Sequence, residues 1–288
     1  MHSRLLAGVV ALVLAPGLAT VLANADEATD SKPALTGVTI NWSTVARDRL
    51  TGGSASPFEQ SSAATTVIAF QRQPFGKTSL YWSIGVEGDL FSFANTGAFR
   101  VQRLQDYAAR FSLDYFSGAE QVAGLVLRPG VYFQNHATLS AWDIPVDFAT
   151  GIPVTKQFSG VIGFSAARYY ANLVPVAGAV WIVNSRVRIE AVYPEPALVV
   201  KLRDRFEARL SGELTGGGFR TDAGAPGRSV EYSSYRLGGT LTGQIGHGLK
   251  LSAGAGCELF RRYIFRGGPR LEAKGAPFVR LNVEYSGW

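Results

Sequence analysis

The residues best placed to do chemistry are charged and share the parity of alternating segments. They are Arg110, Asp114, Glu190, Arg209, Glu213, Arg236, Glu258, Arg280 and Glu284. A β-strand turns its side chains over at every residue, so positions two or four apart share a face. If these segments line a barrel, the charges point into its lumen. Two chemistries then compete. Unpaired arginines would make a pore that favours anions, since rings of charge select the ion that passes. Arginines held by carboxylates would instead close the interior, because a guanidinium grips a carboxylate with two hydrogen bonds.

A second run, Phe260-Arg261-Arg262-Tyr263-Ile264-Phe265-Arg266, mixes aromatic and basic residues. Aromatic side chains concentrate where hydrocarbon meets headgroups. Arg261, Arg262 and Arg266 are therefore candidates for contact with lipid phosphates, against an ordinary aromatic girdle with solvated arginines.

Enzyme chemistry finds less support. A nucleophile needs a base and an orienting group. His247 sits in a Gly-His-Gly turn. His136 and Ser140 share strand parity but would stand ~13 Å apart at the strand rise. Asp143 is the nearest acid after them. Cys257 is the one cysteine and reads as a small hydrophobe. Gly216-Gly217-Gly218 follows a strand, not the start of a helix, so it does not suit a phosphate. No metal spacing or dinucleotide fingerprint is present, so neither a cofactor nor an enzyme is expected.

The elements that must position these side chains are strands. Phe206 to Leu214 alternates without a break: Phe206, Ala208, Leu210, Gly212 and Leu214 oppose Glu207, Arg209, Ser211 and Glu213. Tyr107 to Tyr115, Leu80 to Glu87, Tyr232 to Ile245, Leu249 to Phe260 and Phe278 to Ser286 follow the same pattern. Val174 to Val183 is apolar on both faces. The N-terminus has a basic start, an apolar stretch from Leu5 to Ala23, and Ala23-Asn24-Ala25, which together describe a cleavable export signal. The expected organisation is a signal peptide at 1–25, a loose tail at 26–36 and one domain at 37–288. Cleavage would remove one basic residue, Arg4, and lower the formal charge from +6 to +5. The 22 arginines outnumber the 6 lysines but are scattered, so no nucleic-acid-binding stripe forms. Charged residues are 17% of the chain, low for a soluble domain, yet no mature segment is apolar enough for a spanning helix.

Low charge, an export signal and many alternating strands point to an all-β, antiparallel transmembrane β-barrel. A closed barrel leaves no unpaired backbone in lipid. About 12 strands are expected, in a range of roughly 10 to 14. Thr150-Gly151 reads as a turn, and residues 215–229 and 265–275 as long loops. Pro194-Glu195-Pro196 reads as either a hairpin tip or a kink. Short turns at 203–205 and 246–248 would face the periplasm, with the long loops outside. Trp288 breaks the apolar parity of the last strand, which suggests a bulge near Gly287.

The order from Trp181 to Phe219 is W-I-V-N-S, then Y-P-E-P-A-L-V-V, a charged turn, and R-L-S-G-E-L-T-G-G. It resembles an uncharacterised family of bacterial outer-membrane β-barrel proteins. That resemblance implies the fold and the outer membrane of a Gram-negative bacterium, and it supplies no catalytic residues. The partners expected are outer-membrane lipids and the barrel-assembly machinery. Passive permeation of small solutes, a closed structural or surface-interaction barrel, and a soluble exported β-sandwich are the functional alternatives.

Overall fold

The computed structural model describes residues 35–52, 58–76, 78–94, 101–117, 120–167, 173–223, 225, 227–246 and 248–287. The expected signal peptide, most of the tail, His247 and Trp288 lie outside the described residues. The strands are β1 (Leu35–Leu50), β2 (Phe58–Pro74), β3 (Leu80–Ala94), β4 (Arg103–Ser117), β5 (Glu120–Leu127), β6 (Gly130–Phe133), β7 (Trp142–Asp143), β8 (Val146–Pro153) and β9 (Phe158–Ala166). There follow β10 (Val174–Ile182), β11 (Val187–Tyr193), β12 (Ala197–Arg203), β13 (Phe206–Arg220), β14 (Ser229–Gly246), β15 (Leu249–Phe265), β16 (Arg270–Ala273) and β17 (Ala276–Gly287).

Neighbours in the wall pair antiparallel, and β1 closes on β17 from Thr36↔Gly287 to Val45↔Phe278. This closure removes the terminal edges of the sheet. Three staves are each split in two. Both β5 and β6 pair with β4, and Pro129 falls between them. Both β7 and β8 continue that surface, with Pro145 between them. Proline cannot donate to a ladder, so pairing lapses at both points. Both β16 and β17 pair with β15 and are separated at Lys274-Gly275, where Gly275 has φ of 72°. The barrel therefore has 14 staves, not about 12.

Other expectations change as well. Pro194-Glu195-Pro196 is a hairpin tip, because β11 and β12 pair from Val187↔Val200 to Glu190↔Ala197. Thr150-Gly151 is not a turn but lies inside β8, paired with β5 and β9. Residues 215–220 are strand, since β13 pairs with β14 as far as Arg220↔Ser229. The register with β1 runs unbroken to Gly287, so among the described residues the bulge expected there is not found; Trp288 itself lies outside them.

The outer surface is apolar. Val279, Leu281, Val283 and Tyr285 of β17 are 39–48% exposed, and Phe206 and Leu210 of β13 are 47% and 53% exposed. A belt of this kind needs a non-aqueous neighbour. The alternate residues turn inward.

The two ends of the barrel differ. Strands β9 to β12 are short, whereas β13 continues through Gly212–Arg220 past the end of its pairing with β12. Its tip crosses the mouth to β6, where Arg220 lies beside Phe133 and Gln134 donates its backbone N–H to Arg220 O at 2.9 Å. Asn135 Nδ2 also donates to Asp222 Oδ2 at 2.7 Å. Gly216, with φ of 151°, permits the crossing: a Cβ there would lie 2.1 Å from Tyr232 O. On the far side Thr51 and Glu272 exchange backbone hydrogen bonds at 2.8 Å. Beneath this closure Phe91, Phe93, Leu104, Tyr132, Phe219, Tyr232, Tyr263 and Phe265 form one buried cluster. The loop end is thus filled with packed side chains.

Candidate functional site

Below the aromatic cluster the inner face is charged, and each side chain is placed by strand parity. The nine charged residues singled out from the sequence lie on the strand parity opposite the exposed apolar residues, and most are held by partners. Glu190 is 1% exposed and accepts from Arg188 Nε at 2.8 Å and Arg209 Nη2 at 2.7 Å. Glu213 accepts from Arg280 Nη1 at 2.6 Å, and Arg280 also reaches Thr240. Arg236 lies 3.6 Å from Glu258 and donates to Ser43 Oγ at 3.1 Å. Arg110 lies 3.7 Å from Glu87. Asp114 accepts from Gln121 Nε2 at 2.8 Å, and Arg72 is 3.9 Å away. Glu284 pairs with Lys250 at 3.2 Å near the turn end. Among the described residues these arginines therefore do not form an unpaired ring.

The aromatic–basic run splits. Arg261 is fully buried and donates to Glu258 Oε2 at 2.8 Å, so it faces the interior and not headgroups. The cause is a bulge: Tyr235 pairs with Phe260 but Arg236 pairs with Glu258, leaving Leu259 as the extra residue. Glu258 and Arg261, three apart, then share the inner face, which strict alternation forbids. Tyr263 follows them inward and donates to Gln60 Oε1 at 2.7 Å. Arg262 instead lies outside, over the Phe260 ring at 5.3 Å and bonded to Glu272 Oε1 at 2.6 Å. Arg266 is exposed at the loop end.

Several inward groups were not singled out from the sequence. Arg128 is fully buried, bonded to Asp147 and 3.6 Å from Glu87. Glu87, Asp89 and Asp106 are 4%, 2% and 0% exposed. The parity that makes Val86 and Leu90 face out would have placed Glu87 and Asp89 inside. His136 meets Asp222 at 3.3 Å on the surface. Among the described residues, no group of His, Cys, Asp and Glu is arranged to hold a metal ion.

With the geometry in view, the likeness to solved structures is informative. The chain superposes on the crystal structure of the COG4313 outer membrane channel from Pseudomonas putida F1 with a TM-score of 0.50 and 12% identity, covering 91% of this chain and 98% of that one. The fold is that of a bacterial outer-membrane β-barrel. A deltaS2S3 mutant of the TodX monoaromatic hydrocarbon channel gives a TM-score of 0.41 at 8% identity, over 95% and 93% of the two chains. LpxR from Salmonella typhimurium gives 0.39 at 8% identity, over 86% and 99%. No family model and no curated protein matches the chain. This barrel fold accounts for the apolar belt outside and the charges inside.

Proposed function

We propose that this chain is a passive outer-membrane channel for small solutes, captured with its loop-end mouth shut. The observation that carries the reading is the gradient along the inner face. Near the turns, the side chains of Lys250 and Glu284 remain 45% and 39% exposed although they face inward. At the loop end, Phe91, Tyr232 and Tyr263 are 0–3% exposed. A charged vestibule leading to an apolar constriction can gate by dewetting. In this reading the short turns face the periplasm, the long hairpins face outward, and lipids cover the apolar belt after assembly-machinery insertion of an exported precursor. The likeness to an outer-membrane channel supports the reading at the level of fold.

A closed structural barrel is the second reading, and the same aromatic cluster favours it. Planar bilayers separate the two. The channel reading expects rare, small conductance steps from the native protein. It expects a severalfold rise in open time for a Phe93→Ala, Tyr232→Ala double variant. Silence from both proteins, each shown to be folded by heat-modifiable migration, would leave the structural reading alone.

A further inference from the structure

We infer that the inner wall at β3 and β4 is a binding site for a protonated organic amine. Its ammonium group would sit at Asp89 and Asp106, and its apolar body against the aromatic cluster. Two registers place these groups. In one row across the wall, Thr66, Asp89, Asp106 and Tyr132 are consecutive partners on β2, β3, β4 and β6. In the next row toward the turns stand Glu87, Ala108, Gly130 and Asp143.

Directly opposed side chains on antiparallel strands have Cβ atoms roughly 5 Å apart, and like charges there repel. Asp89 and Asp106 are such a pair. Both are buried, and among the described residues no hydrogen bond of good geometry reaches any of their four carboxylate oxygens. Both oxygens of neighbouring Glu87 also lack one. The arginines nearest the patch are Arg110 and Arg128, whose ion pairs run to Glu87 and Asp147. Four carboxylates, Glu87, Asp89, Asp106 and Asp147, thus face two guanidiniums among the described residues. A buried anion without a partner is costly, and a bound cation is one way to meet that cost.

The shape of the wall selects the kind of cation. Ala108 and Gly130 leave the row beside the acid pair without bulk. A Cβ on Gly130 would already lie 2.6 Å from that of Ala108. On the loop side, Phe91 and Leu104 are the next inward residues on β3 and β4, and both are fully buried. A cation beside aromatic faces gains further attraction when desolvated. A compact ammonium with an apolar or aromatic tail satisfies both surfaces. A hydrated metal ion satisfies only the carboxylates.

This inference does not require conduction, because binding is read at equilibrium in detergent. A silent barrel can hold the site, and a conducting one can lack it. Benzylammonium chloride, benzyl alcohol and sodium chloride would be titrated by calorimetry against the folded full-length barrel. Saturable binding of benzylammonium, with no binding of benzyl alcohol and no equal heat from sodium, is expected. Asp89→Asn and Asp106→Asn should each weaken it at least tenfold, while Asp114→Asn should leave it within twofold. Equal behaviour of the amine and the alcohol would overturn the proposal, as would equal displacement by sodium. If the Asn variants fail to fold, the wild-type comparison of amine, alcohol and sodium still decides. Absence of any saturable amine binding means that the acid pair shares a proton and holds no cation.

Discussion

Two patches of the inner wall bury carboxylates equally well and treat them in opposite ways. At β11 and β13, Glu190 is enclosed by Arg188 and Arg209, with hydrogen bonds of 2.8 and 2.7 Å. At β3 and β4, Asp89 and Asp106 face each other, and among the described residues no hydrogen bond of good geometry reaches their carboxylate oxygens. Removing a charge from water costs several kcal/mol per ion, and attraction offsets this only when geometry is good. The first patch meets that condition, so its charges hold neighbouring strands together. The second does not, so its charges are available to something else. Burial alone therefore does not separate structural from ligand-facing charge in this lumen; partners do.

The largest expected effect lies at the arginine that partly relieves the acidic patch. Arg128→Met leaves Glu87 and Asp147 without their shared cation. Breaking a buried pair in this way costs about 3–5 kcal/mol. Urea unfolding in detergent should show a midpoint far below that of the native barrel, or no folded fraction. Next, Glu190→Gln strands two guanidiniums, and a loss of about 2–4 kcal/mol is expected from the same cause. The acid pair should respond with the opposite sign. Asp89→Asn removes a like-charge contact and should raise stability by about 0.5–1 kcal/mol. A loss at Asp89→Asn as large as that at Glu190→Gln would erase the distinction between the patches.

The smallest effect concerns the loop-end rim. Arg270 and Arg262, both bonded to Glu272, hold its carboxyl below the usual range. A depressed folded-state value contributes stability that is present above the unfolded value. That contribution fades as pH falls through the folded one. The group is exposed and the contribution correspondingly small. Arg270→Ala should move the Glu272 titration upward by side-chain NMR; an unchanged midpoint would show that the pairing has no effect.

Much of this wall was legible in the sequence. Phe206–Leu214 and Val279–Tyr285 alternate cleanly, so one face could be assigned to lipid and the other to the interior. The parity argument failed where one residue was inserted. The bulge at Leu259 leaves no compositional mark, and it turned Arg261 from a rim candidate into a buried partner of Glu258. The Gly216-Gly217-Gly218 run looked like loop because glycine is common in loops; here it lets a strand bend across the mouth. The contact between Arg220 and Phe133 depends on two hairpins meeting across the barrel. No local pattern encodes such a meeting. Asp89 and Asp106 were missed because the alternation of β3 and β4 was read as stopping short of them. Extending it by one residue pair would have brought both inside.

The most direct test is one paired measurement of unfolding free energy, on Glu190→Gln and on the Asp89→Asn, Asp106→Asn double variant, in the same detergent and at neutral pH. Glu190→Gln should lower stability by about 2–4 kcal/mol, and the double variant should leave it unchanged or raised. Equal losses in both would contradict the division of the lumen into a paired, structural wall and an unpaired, ligand-facing one.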